Sequence, residues 1–168
     1  DILFIKQIDL KYLSRIKKLL YLIGLEGIAA PNITQMASEI GTSRATVMNY
    51  IKDLEEARLV NLVYHEGDEF PKKPAQIMMH NTNLLYAIYA RGMSEPEIME
   101  TFFTNSLWRH HTVNKGRRNG MYIVDGVEIH VCDKNKHVKT QANSYCARYN
   151  TEVGHNNDIP LWLFGFLY

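Results

Sequence analysis

Apolar residues recur at helical spacing between residues 33 and 54, and Gly41 interrupts them once. Recurrence every three or four residues places side chains on one face of a helix, so this segment predicts two helices packed together. Gly41 stands between them, where a tight turn needs a residue that adopts a positive φ without steric cost, and Thr42 or Ser43 then caps the second helix. The spacing predicts a helix-turn-helix. Its core-facing residues are predicted to be Met36, Ile40, Val47, Ile51 and Leu54.

The flanking segments extend this motif into a winged helix. An apolar stripe from Leu10 to Leu25 predicts an earlier helix, and the runs 59–63 and 77–79 predict two strands that pair across a turn-rich loop. We therefore assign residues 1–80 to a winged-helix domain. The alternative is an ordinary helical hairpin in which the glycine has no special role.

A second unit is predicted after the winged helix. Ser94 and Glu97 stand in capping-box spacing at the start of a helix that runs to about Trp108. Alternating apolar and polar residues then predict an antiparallel meander of three strands. Trp108 is interpreted as a core residue.

The remaining segments complete this second unit. A short polar helix is predicted through Lys139, and a strand is predicted from Ser144 to Tyr149. The apolar run 159–168 is predicted to be a buried core segment, with Trp162 inside. We assign residues 81–168 to this second domain, and the predicted fold class is α+β.

Composition limits the class of protein and its location. Apolar residues make up 46% of the 168 residues, which is enough for a core, and a formal net charge of +1 does not identify a nucleic-acid binder by itself. Two cysteines without a CxxC pair and without a signal peptide predict a cytoplasmic location. The apolar run 159–168 is too short to cross a bilayer. Since the sequence opens on Asp1 without a methionine, we expect it to be a piece of a longer protein.

The second helix of the helix-turn-helix carries the residues expected to contact DNA. Recognition helices read bases with their N-terminal residues, which here are Arg44, Thr46 and Asn49, and Lys52 also lies on the outward side. The acidic residues that follow in this helix would repel phosphate, so the expected binding is weak and salt-sensitive. A module for protein contacts is the alternative. Basic residues expected to assist DNA binding from the second unit are Arg117 and Arg118.

Four segments resemble, in order, the C-terminal region of a large bacterial and archaeal family of AAA-type ATPases: KKPAQIMMHNTNLLYA, ETFFTNSL, GMYIVDG and IPLWLFGFLY. In that family a P-loop ATPase domain precedes a winged helix and a domain of uncharacterised function related to the restriction-endonuclease fold. The resemblance covers nearly the whole chain. No G-x-x-x-x-G-K-[ST] motif occurs in this sequence, so the resemblance implies that ATP and Mg²⁺ bind elsewhere in the parent protein.

The resemblance also indicates where a nuclease site would lie. A working nuclease of this fold holds Mg²⁺ with two carboxylates and places a lysine beside the attacking water. Matching the strands to that pattern puts Met121 at the position of the aspartate. His130 and Cys132 fall at the positions of the glutamate and the lysine. The catalytic residues that the fold requires are therefore missing from these positions.

Other carboxylates do not complete the predicted site. Asp125 and Glu128 are two possible substitutes, but they leave His130 as the only candidate for the lysine's role. Glu100 matches the family on the preceding helix, and we interpret it as a surface or hydrogen-bonding residue. The second domain is therefore predicted to be an inactive nuclease-like domain, and this chain is predicted to bind no metal or cofactor.

The predicted function is a non-catalytic recognition or regulatory region of an AAA-type ATPase. Its expected partners are DNA, the ATPase domain of the same protein, or another protein. It is not expected to bind a membrane. A homo-oligomer is a further possibility. The alternatives are a metal-dependent nuclease, and a dimerisation or docking module without a nucleic-acid ligand.

Overall fold

The protein is an α+β chain with two separate β-sheets. The computed structural model describes residues 10–89, 92–133, 135 and 143–167. Its described helices are α1 (Leu10–Glu26), α2 (Ile33–Ile40), α3 (Arg44–Glu56), α4 (Thr82–Ile88), α5 (Glu95–Leu107) and a 3₁₀ helix (Leu161–Phe166). Its described strands are β1 (Val60–Val63), β2 (Gln76–Met79), β3 (Val113–Lys115), β4 (Met121–Val124), β5 (Val127–Asp133), β6 (Ser144–Tyr149) and β7 (Asp158–Pro160).

Local capping explains where α2 and α3 begin and end. Asn32 accepts a hydrogen bond from the Gln35 N–H at 3.1 Å, and Ser43 accepts one from the Thr46 N–H at 3.1 Å. Both residue types suit the N-cap because their short side chains satisfy a free helical N–H. Gly41 ends α2 with a φ of 66°, the left-handed conformation predicted for the turn. The two helices and their turn are confirmed.

The first core lies between α1, α2, α3 and the first sheet. β1 and β2 pair antiparallel, with Val60 opposite Met79, so the predicted pair of strands is confirmed. All five core-facing residues predicted from the helical spacing are buried. Burying such side chains stabilises the fold by about 1.5–3 kcal/mol each relative to leaving them in water. Other buried members of this core are Ile16, Leu19, Leu22, Ile23, Ile33, Ala37, Ile77 and Leu85.

The second sheet has the strand order β3-β4-β5-β6-β7. β3, β4 and β5 form the antiparallel meander that the alternation predicts, and the predicted strand β6 joins β5 in parallel. β7 is parallel to β6 and was not predicted, because three residues are too few for a recognisable alternation. The predicted helix through Lys139 lies outside the described residues.

The two faces of the second sheet carry different residues. Ile129 and Val131 face α5 and the 3₁₀ helix, and Glu128, His130 and Cys132 alternate with them toward the other face. Aromatic contacts fill the space beneath α5, where the rings of Phe103 and Phe164 lie 5.0 Å apart. Buried members of this second core also include Leu107, Tyr122, Val124, Ala147, Tyr149 and Leu161.

The apolar segment that ends the chain differs from its prediction. Within the 3₁₀ helix only Leu161 and Phe164 are buried. Residues three apart share a face of a 3₁₀ helix, so this pair packs inward and leaves its neighbours outside. Trp162 is 51% exposed, and Trp108 after α5 is 38% exposed. The predictions of a fully buried segment and of two core tryptophans are therefore wrong.

The two sheets meet at a hydrogen-bonded junction. Tyr64, which follows β1, forms a parallel bridge with Asn114 of β3, and its carbonyl accepts a hydrogen bond from the Lys115 N–H at 2.7 Å. β1 and β2 also bury side chains in both cores, with Val63 and Met78 belonging to the second. None of the helices in the described residues is long and apolar enough to cross a bilayer.

Glu97 occupies a confined position between α1 and α5. The predicted capping box is confirmed, since Glu97 Oε2 accepts from the Ser94 N–H at 3.3 Å and Ser94 Oγ accepts from the Glu97 N–H at 3.4 Å. The other carboxylate oxygen is buried and has no hydrogen-bond partner in the described part of the chain. Burial raises the pKa of Glu97, and the hydrogen bond from Ser94 offsets only part of this effect.

Replacing Glu97 with glutamine is expected to raise the free energy of unfolding at pH 7 by about 1 kcal/mol, because the amide keeps the capping box and removes a poorly solvated charge. A carboxyl whose folded-state pKa is raised stabilises the fold below its unfolded-state pKa, near the ordinary value of 4.5, and loses that contribution as the pH rises through the folded-state pKa. The advantage of Glu97→Gln should therefore be present at pH 7 and absent at pH 4. Urea unfolding at both pH values measures it.

Glu95→Gln is the matched control for this experiment. Glu95 lies in the same first turn of α5 but is exposed, so neutralising it removes the same charge without relieving a burial cost. An equal effect of the two substitutions, or an effect of Glu97→Gln that does not change with pH, would contradict the prediction.

Candidate functional site

The residues predicted at the nuclease positions do not converge. Met121 lies opposite His130 in the β4–β5 register, so their side chains share one face of the sheet. Glu128 and Cys132 share this face because each is two residues from His130. Glu100 reaches the opposite face from α5, where it contacts the residue after Met121. The helix carboxylate is thus separated by the sheet from the strand residues with which it would have to act.

Glu100 is instead the centre of a buried polar cluster. Its Oε2 accepts a hydrogen bond from Tyr122 Oη at 2.5 Å and lies 3.4 Å from both Lys115 Nζ and Gln76 Nε2. The Glu100 and Lys115 side chains are 4% and 13% exposed, and Gln76 and Tyr122 are fully buried. Gln76 Nε2 also donates to the Ile28 carbonyl at 2.9 Å. The cluster therefore ties β2 of the first sheet to α5, β3 and β4.

Burial determines the protonation states within this cluster. It lowers the pKa of Lys115, and the nearby Glu100 carboxylate acts in the opposite direction. Burial also raises the pKa of Tyr122 well above its ordinary value, and Glu100 raises it further. Tyr122 accordingly keeps its proton at neutral pH and donates it to Glu100, while Lys115 lies across the Tyr122 ring at 4.3 Å from the centroid. Tyr122, Lys115 and Gln76 thus all direct donors at Glu100 Oε2, the oxygen that would otherwise be available to a metal ion.

The opposite face of the sheet presents His130 and two thiols. His130 is 4% exposed, and its Nε2 lies 2.7 Å from Glu128 Oε1. Cys132 and Cys146 are buried on neighbouring parallel strands. Two effects raise the pKa of the Cys146 thiol: the larger is a hydrogen bond with Cys132, and the second is burial. The raised pKa opposes formation of the thiolate that metals prefer. Across the described ranges, no group of three or more histidine, cysteine or carboxylate side chains is arranged to hold a metal ion.

Asp125 stabilises the turn between β4 and β5. Its Oδ2 lies 2.6 Å from His111 Nδ1, and its Oδ1 accepts from the Thr112 N–H at 2.8 Å. The hydrogen bonds from His111 and then Thr112 lower the pKa of Asp125. Asp125 follows the last residue of β4 and is four residues, or about 13 Å of extended chain, beyond Met121, so it cannot replace the missing aspartate.

The residues predicted to read DNA bases lie at the start of α3. Arg44 and Asn49 are exposed, but Arg44 Nη1 donates to Thr34 Oγ1 of α2 at 2.9 Å. Thr46 is partly buried, and its hydroxyl lies 2.9 Å from Ser43 Oγ within the N-cap. Arg44 and Thr46 therefore contribute to the connection between α2 and α3, and Asn49 is the predicted base-reading residue with an exposed side chain and no such role.

Lys52 lies in a cleft beside α3. Its Nζ is 2.7 Å from Glu55 Oε2, and this hydrogen bond raises the pKa of Lys52. The cleft has a volume of about 340 Å³, and Trp108 and His80 line its other side. Lys52 is thus neutralised by Glu55, whereas the acidic Glu56 is exposed on the outer surface of the helix. The electrostatic contribution of Lys52 to phosphate binding is correspondingly small.

Arg117 and Arg118 are exposed in the turn between β3 and β4. This turn lies beside the hairpin of the first sheet, because His65 Nδ1 is 2.8 Å from the Lys115 carbonyl. Lys115 itself points into the Glu100 cluster and does not extend the basic surface. Sequence reasoning missed the cluster, since pairing a lysine with a helix carboxylate requires knowledge of the packing.

An exposed apolar surface is the largest feature that the sequence did not predict. It consists of Trp162, Leu163, Phe166 and Leu167 at the end of the chain together with the partly buried Ile98, Met99 and Phe102 of α5. A groove of about 320 Å³ is lined by these α5 residues on one side and by Leu161 and Trp162 on the other. We call this the apolar surface. The alternation of inward and outward residues at three-residue spacing was the available signal for it.

Comparisons of the chain with protein-family models, with curated proteins and with solved structures find no match.

Proposed function

We propose that this chain is a non-catalytic recognition region composed of a winged helix-turn-helix and a degenerate domain of the restriction-endonuclease type. The main support for this proposal is that the residues at the nuclease positions lie on opposite faces of the second sheet. Glu100 is bound by Tyr122, Lys115 and Gln76, and His130 with its neighbours lies on the other face of the sheet. A hydrolytic site needs its carboxylates and lysine around one metal ion, and this arrangement offers no such point.

The order of the elements supports both parts of the proposal. Helices α2 and α3, joined at Gly41 and followed by the β1–β2 hairpin, have the order of a winged helix. In the second unit, α5 precedes a three-stranded meander and a parallel fourth strand, which is part of the order expected for a nuclease-like core. By resemblance, the parent protein is an AAA-type ATPase that binds ATP and Mg²⁺ in a domain preceding this one.

Incubation of the purified chain with single- and double-stranded DNA and RNA is expected to produce no cleavage in the presence of Mg²⁺ or Mn²⁺. The physical reason is that, within the described residues, no group of three or more carboxylate, histidine or cysteine side chains is arranged to hold a metal ion. Denaturing gels measure the result. Divalent-dependent cleavage that is lost in both Asp125→Ala and Glu128→Ala would replace the proposed function with the nuclease alternative.

A protein is the partner class that the surface supports best. Lys52 is paired with Glu55, and the exposed residues at the C-terminal half of α3 include Asp53 and Glu56. This charge repels phosphate. The apolar surface, by contrast, groups several exposed large apolar side chains in one place, and patches of this kind often serve as protein interfaces.

Weak DNA binding is a second candidate, supported by the exposed Arg117 and Arg118 beside the first sheet. The double substitution Arg117→Ala and Arg118→Ala is expected to make the negative slope of log affinity against log salt shallower by about 2, since two fewer counterions are released. Lys52→Ala is the matched control, and its slope should change by well under 1 because Glu55 already neutralises Lys52. Fluorescence anisotropy with a labelled duplex at several salt concentrations measures both. Equal changes in the two variants would contradict this assignment.

A further inference from the structure

We infer that the apolar surface binds the same surface of a second copy of this chain, forming a symmetric and weak dimer. This inference names the partner of the proposed recognition function and rests on it. The four exposed members at the end of the chain, Trp162, Leu163, Phe166 and Leu167, are 51%, 40%, 73% and 44% exposed. They cluster within six consecutive residues, where burial of two of their neighbours fixes the 3₁₀ helix against α5.

The shape of the apolar surface suits contact with itself. It combines protruding side chains with a groove of about 320 Å³ lined by Ile98, Met99 and Phe102 on one side and Trp162 on the other. In a two-fold interface the same patch is used by both copies, so a protrusion of one copy must fit a depression of the other. Phe166 protrudes furthest, and its ring packs edge-on against Trp162 with centroids 6.1 Å apart.

The charges around the groove also permit self-association. Two-fold symmetry brings each residue near the same residue of the partner, so uncompensated charges would repel one another. Arg148 is the one charged residue among those that line the groove in the described part of the chain, and its Nε lies 2.7 Å from Asp158 Oδ2. Arg148 therefore does not bring an unpaired cation against the same residue of the second copy.

The available area sets the expected strength. Exposed fractions of 51%, 40%, 73% and 44% on residues of about 200 Å² each correspond to roughly 400 Å² of apolar surface per copy. Two copies would bury roughly 800 Å² from these residues, and the walls of the groove bring the total near 1,000 Å². Specific interfaces begin at about this size, and the smaller ones are transient. We therefore expect dimerisation that depends on concentration in the micromolar range.

Sedimentation velocity from about 1 μM to 500 μM is the test, because this range brackets weak complexes. The unaltered chain is expected to move from monomer to dimer. Phe166→Glu is expected to raise the dissociation constant at least tenfold, on the order of a hot-spot loss, since each carboxylate would enter an apolar interface. Leu25→Glu is the matched control, because Leu25 of α1 is 50% exposed and lies outside the apolar surface. Circular dichroism verifies that both variants fold.

A second measurement follows the apolar surface directly. The chain has two tryptophans, so Trp108→Phe leaves Trp162 as the reporter. Its fluorescence is expected to shift to shorter wavelength with increasing concentration as the indole leaves water, and Phe166→Glu should abolish the shift. A chain that stays monomeric at 500 μM, or a dimer weakened equally by Leu25→Glu and Phe166→Glu, overturns the inference. The proposed function would survive either outcome and fails separately if divalent-dependent cleavage is found.

Discussion

Replacing Lys115 with methionine is expected to lower the free energy of unfolding by about 2–3 kcal/mol. The substitution removes the cation 3.4 Å from Glu100 Oε2 and leaves a carboxylate whose side chain is 4% exposed. We expect a cost below the roughly 3–5 kcal/mol typical of broken buried pairs, because Tyr122 and Gln76 still approach the same oxygen. Equilibrium unfolding in urea measures the change. An unchanged slope of unfolding free energy against urea concentration verifies that unfolding remains two-state.

Neutralising both members of the pair separates charge from packing. The double variant Lys115→Met with Glu100→Gln is expected to recover most of the lost stability, since an amide oxygen still accepts from Tyr122 and no buried charge remains. A single substitution that costs less than about 0.5 kcal/mol would show that water reaches Glu100 freely. Failure of the double variant to recover would show that the aliphatic stem of Lys115, rather than its charge, stabilises the junction.

Gly120→Ala is expected to destabilise the fold by about 3 kcal/mol. Gly120 has a φ of 71°, and a Cβ there would lie 2.6 Å from the Val131 carbonyl oxygen. That oxygen belongs to the backbone of β5, whose N–H at Val131 already donates to the Gly120 carbonyl at 2.7 Å. The contact can be relieved only by moving β4 away from β5, which weakens the pairing next to Tyr122. Thermal and urea unfolding measure the loss.

Gly126→Ala provides the matched control in the same meander. Gly126 has a φ of 83°, and a Cβ there would meet no atom within 4 Å. The variant therefore carries the backbone strain of the left-handed region, about 1 kcal/mol, without the contact. If Gly120→Ala and Gly126→Ala cost the same, strain alone explains both, and the close approach of Gly120 to β5 has no measurable effect.

Elements with local causes were predicted closely from the sequence. The α2–turn–α3 arrangement follows from helical spacing, from the caps at Asn32 and Ser43, and from the positive φ of Gly41, each of which depends on residues within one or two turns. The capping box at Ser94 and Glu97 is equally local. The three-stranded meander followed because its alternation and the tight turn at Gly126 are both visible along the chain.

The candidate site was predictable only as a list of residues. Matching the strands assigned Met121, His130 and Cys132 to the nuclease positions, and the strand register puts the three on one face of the sheet. Glu100 was expected to hydrogen-bond or lie at the surface, and it hydrogen-bonds. Its partners Lys115 and Gln76 were not predicted, because they come from strands 15 and 24 residues away in the chain. No local pattern specifies which side chain crosses such a distance.

By itself, the sequence determined the helices α1, α2, α3 and α5, the strands β1 to β6 and the inward faces of α2 and α3, because periodicity, capping and turn chemistry act over a few residues. Tertiary structure alone decided that Lys115 leaves the basic surface to neutralise Glu100, that the sheet separates Glu100 from His130, and that Trp162 and Phe166 remain in contact with water. Each of these outcomes depends on which elements compete for the same space in the core. The 3₁₀ helix can bury only the face that meets α5, so the rest of an apolar segment is left exposed.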